Sequence, residues 1–107
     1  MNRGDVWQLD IGGRAGRRPA LIITRQGVIS HINKLTVAEI SSMGKGYPTE
    51  VALGHQANLP KESYVQLDNI QTVSKDRFLK YLGSLDAATM RTVGRKLILA
   101  LGLEDVV

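Results

Sequence analysis

Short apolar or alternating segments, separated by Gly, Pro, Ser and Asn, fill the first three-quarters of the chain. Such runs predict β-strands, because successive residues of a strand point to opposite faces of a sheet. In Asp5–Asp10, Trp7 and Leu9 share one face. The run Ala20–Thr24 is apolar on both faces, which is typical of a central strand. Further strands are predicted over Leu35–Ser41, Thr49–Leu53 and Ser63–Val73.

The last of these strands is predicted to bend. The alternation of apolar and polar residues along it is interrupted near Asp68 and Asn69, as happens where a β-bulge inserts extra residues. Loops are predicted over Gly12–Gly16 and Gly44–Pro48 from their glycine and proline content. The polar stretch Arg25–Lys34 is predicted to leave the sheet.

The C-terminal segment changes to helical spacing. Asp86 is a suitable N-cap, and Gly102 stands where a helix C-terminus favours a left-handed residue. Gly94 weakens this helix by about 1 kcal/mol relative to alanine, so packing must hold it. The apolar stripe consists of Met90, Val93, Leu97, Ile98 and Leu101. Strands followed by one amphipathic helix predict a small barrel or strongly bent sheet crossed by the helix, as a single domain over residues 1–107.

Composition excludes several classes of protein. The 107 residues contain no cysteine, which removes thiolate catalysis, disulfides and cysteine-ligated zinc. No apolar run is long enough to span a membrane, and the N-terminus lacks the apolar stretch of a signal peptide. We therefore expect a cytoplasmic protein without a membrane partner.

The charge distribution points to a polyanionic ligand. The net charge is +4, from 14 basic and 10 acidic residues. Arg14, Arg17, Arg18 and Arg25 follow one another with no acidic residue among them. Such a local positive field attracts nucleic acid, and a solubilising surface patch is the alternative interpretation.

Arg18 is the arginine with the most defined setting. Pro19 fixes its own φ and favours an extended conformation at Arg18, at the entry to the apolar strand. A guanidinium held in this way suits phosphate recognition, because it is planar and always charged. A salt bridge at the start of the strand is the alternative interpretation.

Other catalytic designs find no support. His31 and His55 lie in polar, loop-like contexts without a neighbouring carboxylate, so a two-histidine ribonuclease mechanism is not indicated. No His, Asp and Glu cluster has metal-ligand spacing, and the glycines at residues 12–16 form no phosphate-binding motif. An enzyme with this sequence is expected to need neither a metal nor a cofactor.

The chain resembles the MazF/PemK family of toxin endoribonucleases. The resemblance rests on five motifs in order, which cover almost the whole chain: residues 3–7 (RGDVW), 16–23 (GRRPALII), 46–51 (GYPTEV), 67–72 (LDNIQT) and 81–85 (YLGSL). It implies an SH3-like barrel with a C-terminal helix, a homodimer, and an acidic antitoxin that covers the RNA groove. It also implies sequence-specific, metal-independent cleavage of single-stranded RNA.

The resemblance assigns catalytic roles to two residues. The family's catalytic arginine directly precedes the proline and is Arg18 here. Its partner is a threonine at the end of the third strand, where this chain has Ser41. Serine keeps the hydroxyl but loses the β-branch that stiffens the rotamer. The resemblance therefore leaves open whether full activity is retained.

Further residues are candidates for contact with RNA. Arg14, Arg17 and Lys45 are expected to bind phosphate, and Asp68 and Asn69 to present polar groups to a base edge. Trp7 and Tyr47 are the candidates for base stacking, although the pattern also places Trp7 in the core. The loop Ile11–Arg17 is shorter than is typical of the family, so sequence specificity does not carry over.

Three questions stay open at this level. Glu39 shares a strand face with Ser41. Its carboxylate could orient Arg18 or accept the 2′-hydroxyl proton. The favoured interpretation is that it only forms a salt bridge. The general base is therefore unassigned. Two other functions compete with the endoribonuclease: a non-catalytic toxin of the same fold that binds DNA gyrase, and a degenerate family member that binds RNA without cutting it.

Overall fold

The computed structural model describes residues 1–107, which form six strands and one α-helix. They are β1 (Asp5–Asp10), β2 (Arg17–Ile22), β3 (Lys34–Ser41), β4 (Glu50–Gly54), β5 (Ser63–Ser74), β6 (Phe78–Ser84) and α1 (Ala87–Leu101). The predicted mainly β fold with a C-terminal helix is confirmed. With fifteen residues, α1 is neither long nor apolar enough to cross a membrane.

All strands pair antiparallel in one sheet, in the order β4-β5-β3-β2-β1-β6. The sheet does not close into a barrel, because the edge strands β4 and β6 do not pair with each other. A short 3-10 helix, Gln56–Asn58, lies between them instead, and Asn58 Nδ2 donates to the Leu82 carbonyl at 2.7 Å. Gly83 is needed there, since a Cβ at this position would lie 2.7 Å from the Ala57 Cα.

Two hydrophobic clusters cover the two faces of the sheet. The larger one lies between the sheet and α1 and includes Leu21, Ile40, Val65 and Val93. The smaller one includes Leu9 and Ile22 and is covered partly by Ile29 of the excursion between β2 and β3. Adjacent residues of β2 enter opposite clusters, so the prediction that this strand is apolar on both faces is confirmed.

The helix begins and ends at the predicted residues. Asp86 Oδ1 accepts the Thr89 N–H at 2.7 Å, and Gly102 adopts a φ of 66°. Hydrogen bonding from the side chain and then the backbone N–H of Thr89 lowers the pKa of Asp86, with a smaller contribution from the positive charge of Arg91. Val93 is buried, whereas Leu101 at the end of the predicted stripe is about half exposed (51%).

Two features of the sheet differ from the sequence prediction. β2 begins at Arg17 rather than Ala20, because Arg17, Arg18 and Pro19 pair with β1 in a hairpin. The arginines therefore lie within a strand and not at its entry. β6 was not predicted, because Leu79 and Tyr81 of this edge strand are exposed and obscure its alternation.

Candidate active site

Separation of β2 from β3 opens a cleft at one end of the sheet. The two strands pair only through Ala20–Glu39, Leu21–Ala38 and Ile22–Val37. Pairing ends at Pro19, which has no N–H to donate to a neighbouring strand. If the same register continued, Arg18 would stand opposite Ser41, so the cleft lies between these two residues.

The cleft has a volume of about 410 Å³ and is lined by β2, β3, β5 and the loop between β3 and β4. Its ten lining residues are Arg18, Glu39, Ile40, Ser41, Met43, Lys45, Tyr47, Gln66, Asp68 and Asn69. Seven of the ten candidate residues named from the sequence are thus brought together. The other three, Arg14, Arg17 and Trp7, do not line it, and both arginines are exposed.

Arg18 and Ser41 are both available to a ligand. The Arg18 side chain is exposed and makes none of the side-chain hydrogen bonds in the structure, so its guanidinium is open to a ligand in the cleft. The Met43 N–H donates to Ser41 Oγ at 3.0 Å. This bond restrains the serine rotamer in place of a β-branch, and it leaves the hydroxyl proton free to donate into the cleft.

The predicted bulge forms one side of the cleft. Ala38 pairs with Ile70 but the next residue, Glu39, pairs with Gln66, so three residues of β5 (67–69) have no partner on β3. Asn69 Nδ2 donates to Glu39 Oε2, so the partner of the Glu39 carboxylate in the structure is an amide of the bulge. Asp68 accepts a hydrogen bond from Thr49 Oγ1 at 2.6 Å.

The opposite side is the loop of residues 42–49, which carries Lys45 and Tyr47. Lys45 Nζ lies 6.0 Å from the centroid of the Tyr47 ring, at the outer limit of a cation–π contact. The Tyr47 side chain is 53% exposed, which leaves its ring open to stacking. Trp7, the other stacking candidate, packs against the smaller cluster and against Phe78 and is not in the cleft.

Glu50 anchors this loop and was not found from the sequence. Its carboxylate accepts the backbone N–H groups of Lys45, Gly46 and Tyr47 at 2.7–3.2 Å and the Gln66 Nε2 at 2.7 Å. The hydrogen bond from Lys45 is the main cause that holds the pKa of Glu50 below its ordinary value, while burial opposes the shift. No local pattern indicated that the loop folds back onto this side chain.

The arrangement favours binding of an anion beside a polar surface. Two cations, Arg18 and Lys45, and the Ser41 hydroxyl offer donors, while the Glu39 and Asp68 carboxylates lie along the bulge. The cationic and hydroxyl donors suit phosphate oxygens, and the carboxylate acceptors suit the N–H groups of bases. Nowhere in the chain do three or more His, Asp or Glu side chains gather in a metal-binding arrangement.

The chain is similar to known proteins over almost its whole length. Residues 2–101 match the family model described as "PemK-like, MazF-like toxin of type II toxin-antitoxin system". Endoribonuclease MazF1 of Mycobacterium bovis and endoribonuclease MazF4 of Mycobacterium tuberculosis are each 35% identical over 101 residues, which is 94% of this chain and 92% of theirs.

Solved structures show the same fold. A mycobacterial endoribonuclease in complex with its cognate antitoxin superposes with a TM-score of 0.87 at 33% identity, over 96% of both chains. A MazE–MazF complex from Deinococcus radiodurans gives 0.78 at 26% identity, over 97% of this chain and 98% of that one. The chain therefore belongs to the PemK/MazF toxin family of type II toxin–antitoxin systems.

Proposed function

We propose that residues 1–107 act as one toxin domain, an endoribonuclease that cleaves single-stranded RNA at short specific sequences. The observation that carries the proposal is the unpaired Arg18 guanidinium in one cleft with the Ser41 hydroxyl, at the point where Pro19 ends strand pairing. The names of the MazF relatives, which specify endoribonucleases, support the same reaction.

The proposed chemistry uses the RNA's own 2′-hydroxyl as the nucleophile. The 2′-oxygen attacks the adjacent phosphorus, the bond from phosphorus to the 5′-oxygen breaks, and the products are a 2′,3′-cyclic phosphate and a 5′-hydroxyl. Negative charge grows on the phosphoryl oxygens in the transition state. Arg18 stabilises that charge or donates a proton to the leaving oxygen, and Ser41 donates a hydrogen bond. Because these residues supply positive charge and hydrogen-bond donors at the phosphate, the proposed reaction uses no metal or cofactor.

Glu39 is the candidate for the general base. One of its carboxylate oxygens accepts the Asn69 amide, and the side chain lies in the cleft with Arg18. A carboxylate in this position can accept the 2′-hydroxyl proton or orient the guanidinium. Arg18 itself is unsuited to that role, since a guanidinium barely deprotonates.

Recognition is divided among the remaining cleft residues. Lys45 binds a flanking phosphate, Tyr47 stacks on a base, and Asp68 and Asn69 contact base edges. Arg14 and Arg17, outside the cleft, attract the RNA strand through their positive field rather than by direct contact with the cleaved nucleotide.

The proposed partners are a second copy of this chain and an acidic antitoxin. A groove beside the end of α1 is lined by Ile32, Leu97 and Leu101, and the exposed Ile32 and Leu101 are suited to burial against a second subunit. The basic charge of the chain suits an acidic antitoxin, and the mycobacterial neighbour is a complex with its cognate antitoxin. Light scattering after size-exclusion chromatography tests the dimer, with Leu101→Glu expected to yield monomer.

Mapping the ends of cleaved RNA tests the enzymatic proposal. Purified protein is incubated with a long single-stranded transcript in EDTA, and fragment ends are identified by ligation and mass spectrometry. We expect cuts at recurrent short sequences with 2′,3′-cyclic phosphate and 5′-hydroxyl ends. Binding without cleavage would instead establish the degenerate RNA-binding alternative, and 5′-phosphate ends would overturn the mechanism. The gyrase-binding alternative gains no support from relatives whose names specify endoribonucleases.

A further inference from the structure

The loop opposite Arg18 has little hydrophobic packing of its own. Residues 42–48 are all exposed, and residues 43–47 belong to no helix, strand or turn. Met43 in this loop is 73% exposed. A segment with so few buried contacts samples several conformations unless hydrogen bonds restrain it.

Most of the restraint comes from one side chain beneath the loop. Three consecutive N–H groups, those of Lys45, Gly46 and Tyr47, converge on the Glu50 carboxylate. The other hydrogen bonds of the loop run from Met43 N–H to Ser41 and from Glu50 N–H to the Tyr47 carbonyl, and at its end Thr49 bonds to Asp68 and Leu67. Bonds to an ionised acceptor are about twice as strong as neutral ones, so the Glu50 bonds dominate.

The same carboxylate also fixes a residue on the sheet. Glu50 Oε2 accepts the Gln66 Nε2, and Glu50 pairs with Gln66 across β4 and β5. Lys45, Tyr47 and Gln66 all line the cleft, whereas Glu50 does not. One acidic side chain therefore links three members of the cleft lining without itself facing the ligand.

We propose that Glu50 is a positioning residue that holds Lys45, Tyr47 and Gln66 in the arrangement that binds RNA. The inference rests on the proposed endoribonuclease function, but it concerns affinity and not the chemical step. Arg18 and Ser41 stand on strands that Glu50 does not contact, so loss of Glu50 leaves the bond-breaking groups in place. A merely structural role would instead lower global stability and affect every activity in proportion.

The test compares Glu50→Ala and Glu50→Gln with Glu62→Ala, which removes an exposed carboxylate outside the cleft. Amide hydrogen exchange at residues 45–47 is measured on each protein without RNA. Affinity is measured on a random-sequence single-stranded pool that carries 2′-deoxyribose throughout and is not cut. The single-turnover cleavage rate on RNA is measured at saturating protein, and the melting temperature of each variant is recorded.

We expect Glu50→Ala to accelerate exchange at the three amides about tenfold and to weaken binding about tenfold, because charge-assisted hydrogen bonds are lost. The saturated cleavage rate should change less than about threefold, since it reports transition-state stabilisation alone. Glu50→Gln, which keeps one carbonyl acceptor, should fall between Glu50→Ala and wild type. Glu62→Ala should match wild type in all readouts.

The proposal is overturned if Glu50→Ala and Glu50→Gln leave exchange at residues 45–47 unchanged, or if they raise exchange without weakening binding. It is also overturned if affinity and saturated rate fall together with the melting temperature in the Gln variant. Failure of the wild-type protein to cut any RNA would instead count against the proposed function, because exchange and pool binding do not depend on cleavage.

Discussion

The two sides of the cleft are built in different ways. One side consists of strands β2, β3 and β5, where Ile40 of the lining and its neighbour Ala38 are buried in the larger hydrophobic cluster. The other side is the loop of residues 42–49, exposed along most of its length and tied to Glu50 by hydrogen bonds. The strand side is rigid through packing, whereas the loop side is ordered mainly by polar contacts.

This difference separates two tasks. Stabilisation of a transition state requires donors that do not have to reorganise during the reaction, and a packed sheet provides such donors in Arg18 and Ser41. Recognition of a single strand requires stacking and phosphate contacts that follow the shape of the bound nucleotide. A polar-anchored loop with Lys45 and Tyr47 supplies these contacts. The comparison therefore predicts that changes on the strand side lower the rate and changes on the loop side lower affinity.

Arg18→Ala should have the largest effect. Loss of the guanidinium removes the main positive charge near the phosphate, and the cleavage rate should fall by about 10²–10³ or more. The melting temperature should stay within the error of wild type, since the side chain is exposed and unpaired. Arg17→Ala, an exposed arginine outside the cleft, is the control. Equal losses of rate in both variants would mean that only the general positive field matters.

Ser41→Ala should lower the rate by about 10², at the lower end of what one transition-state donor contributes. The variant also removes the acceptor of the Met43 N–H, so the start of the loop is loosened. Ser41→Thr keeps the hydroxyl and should restore activity close to wild type. A threonine variant as slow as the alanine variant would show that the hydroxyl has no part in catalysis. Single-turnover rates measure both.

Tyr47→Ala should weaken binding of a single-stranded, uncleavable RNA analogue about tenfold, which corresponds to about 1.4 kcal/mol and lies within the range for stacking of one base on an aromatic ring. Tyr47→Phe keeps the ring and should bind as wild type does. Fluorescence anisotropy provides the affinities. If the phenylalanine variant binds as weakly as the alanine variant, the hydroxyl and not the ring contacts the RNA.

Acidification should affect the loop side before the strand side. The folded pKa of Glu50 is lowered, so its contribution to loop order is present above the ordinary value of 4.5 and is lost as the pH falls through the folded pKa. Amides of residues 45–47 should therefore lose protection in this acidic range, after correction for intrinsic exchange rates. Amides of β3 should keep theirs. Loss of protection at a common pH would mean that the sheet and the loop unfold together.

Periodicity and capping predicted the rigid part of the molecule well. β1, β3, the bulge at Asp68–Asn69 and both ends of α1 follow from local pattern, because burial on a strand face or helix stripe constrains residue type. β6 was not predicted, because an edge strand buries little side-chain area and tolerates exposed apolar residues. Its motif was noticed only as part of the family resemblance.

The site was predicted unevenly for a related reason. Pro19 restrains Arg18 locally, so that residue was identified, whereas Arg14 and Arg17 were chosen from charge alone and lie outside the cleft. Glu39 was expected to pair with a cation, but the bulge brings Asn69 to it instead. Glu50 was not predicted because the backbone turn that brings the neighbouring N–H groups of residues 45–47 onto its carboxylate has no recognised sequence pattern.

The most direct test of this division measures Arg18→Ala and Tyr47→Ala side by side on one RNA taken from a mapped cleavage site. The saturated single-turnover rate and the affinity for the same RNA with 2′-deoxyribose at the cut are determined for each. We expect Arg18→Ala to lose at least about 10² in rate and less than about tenfold in affinity. Tyr47→Ala should instead lose more in affinity than in rate. Equal proportional losses of rate and affinity in both variants would contradict it.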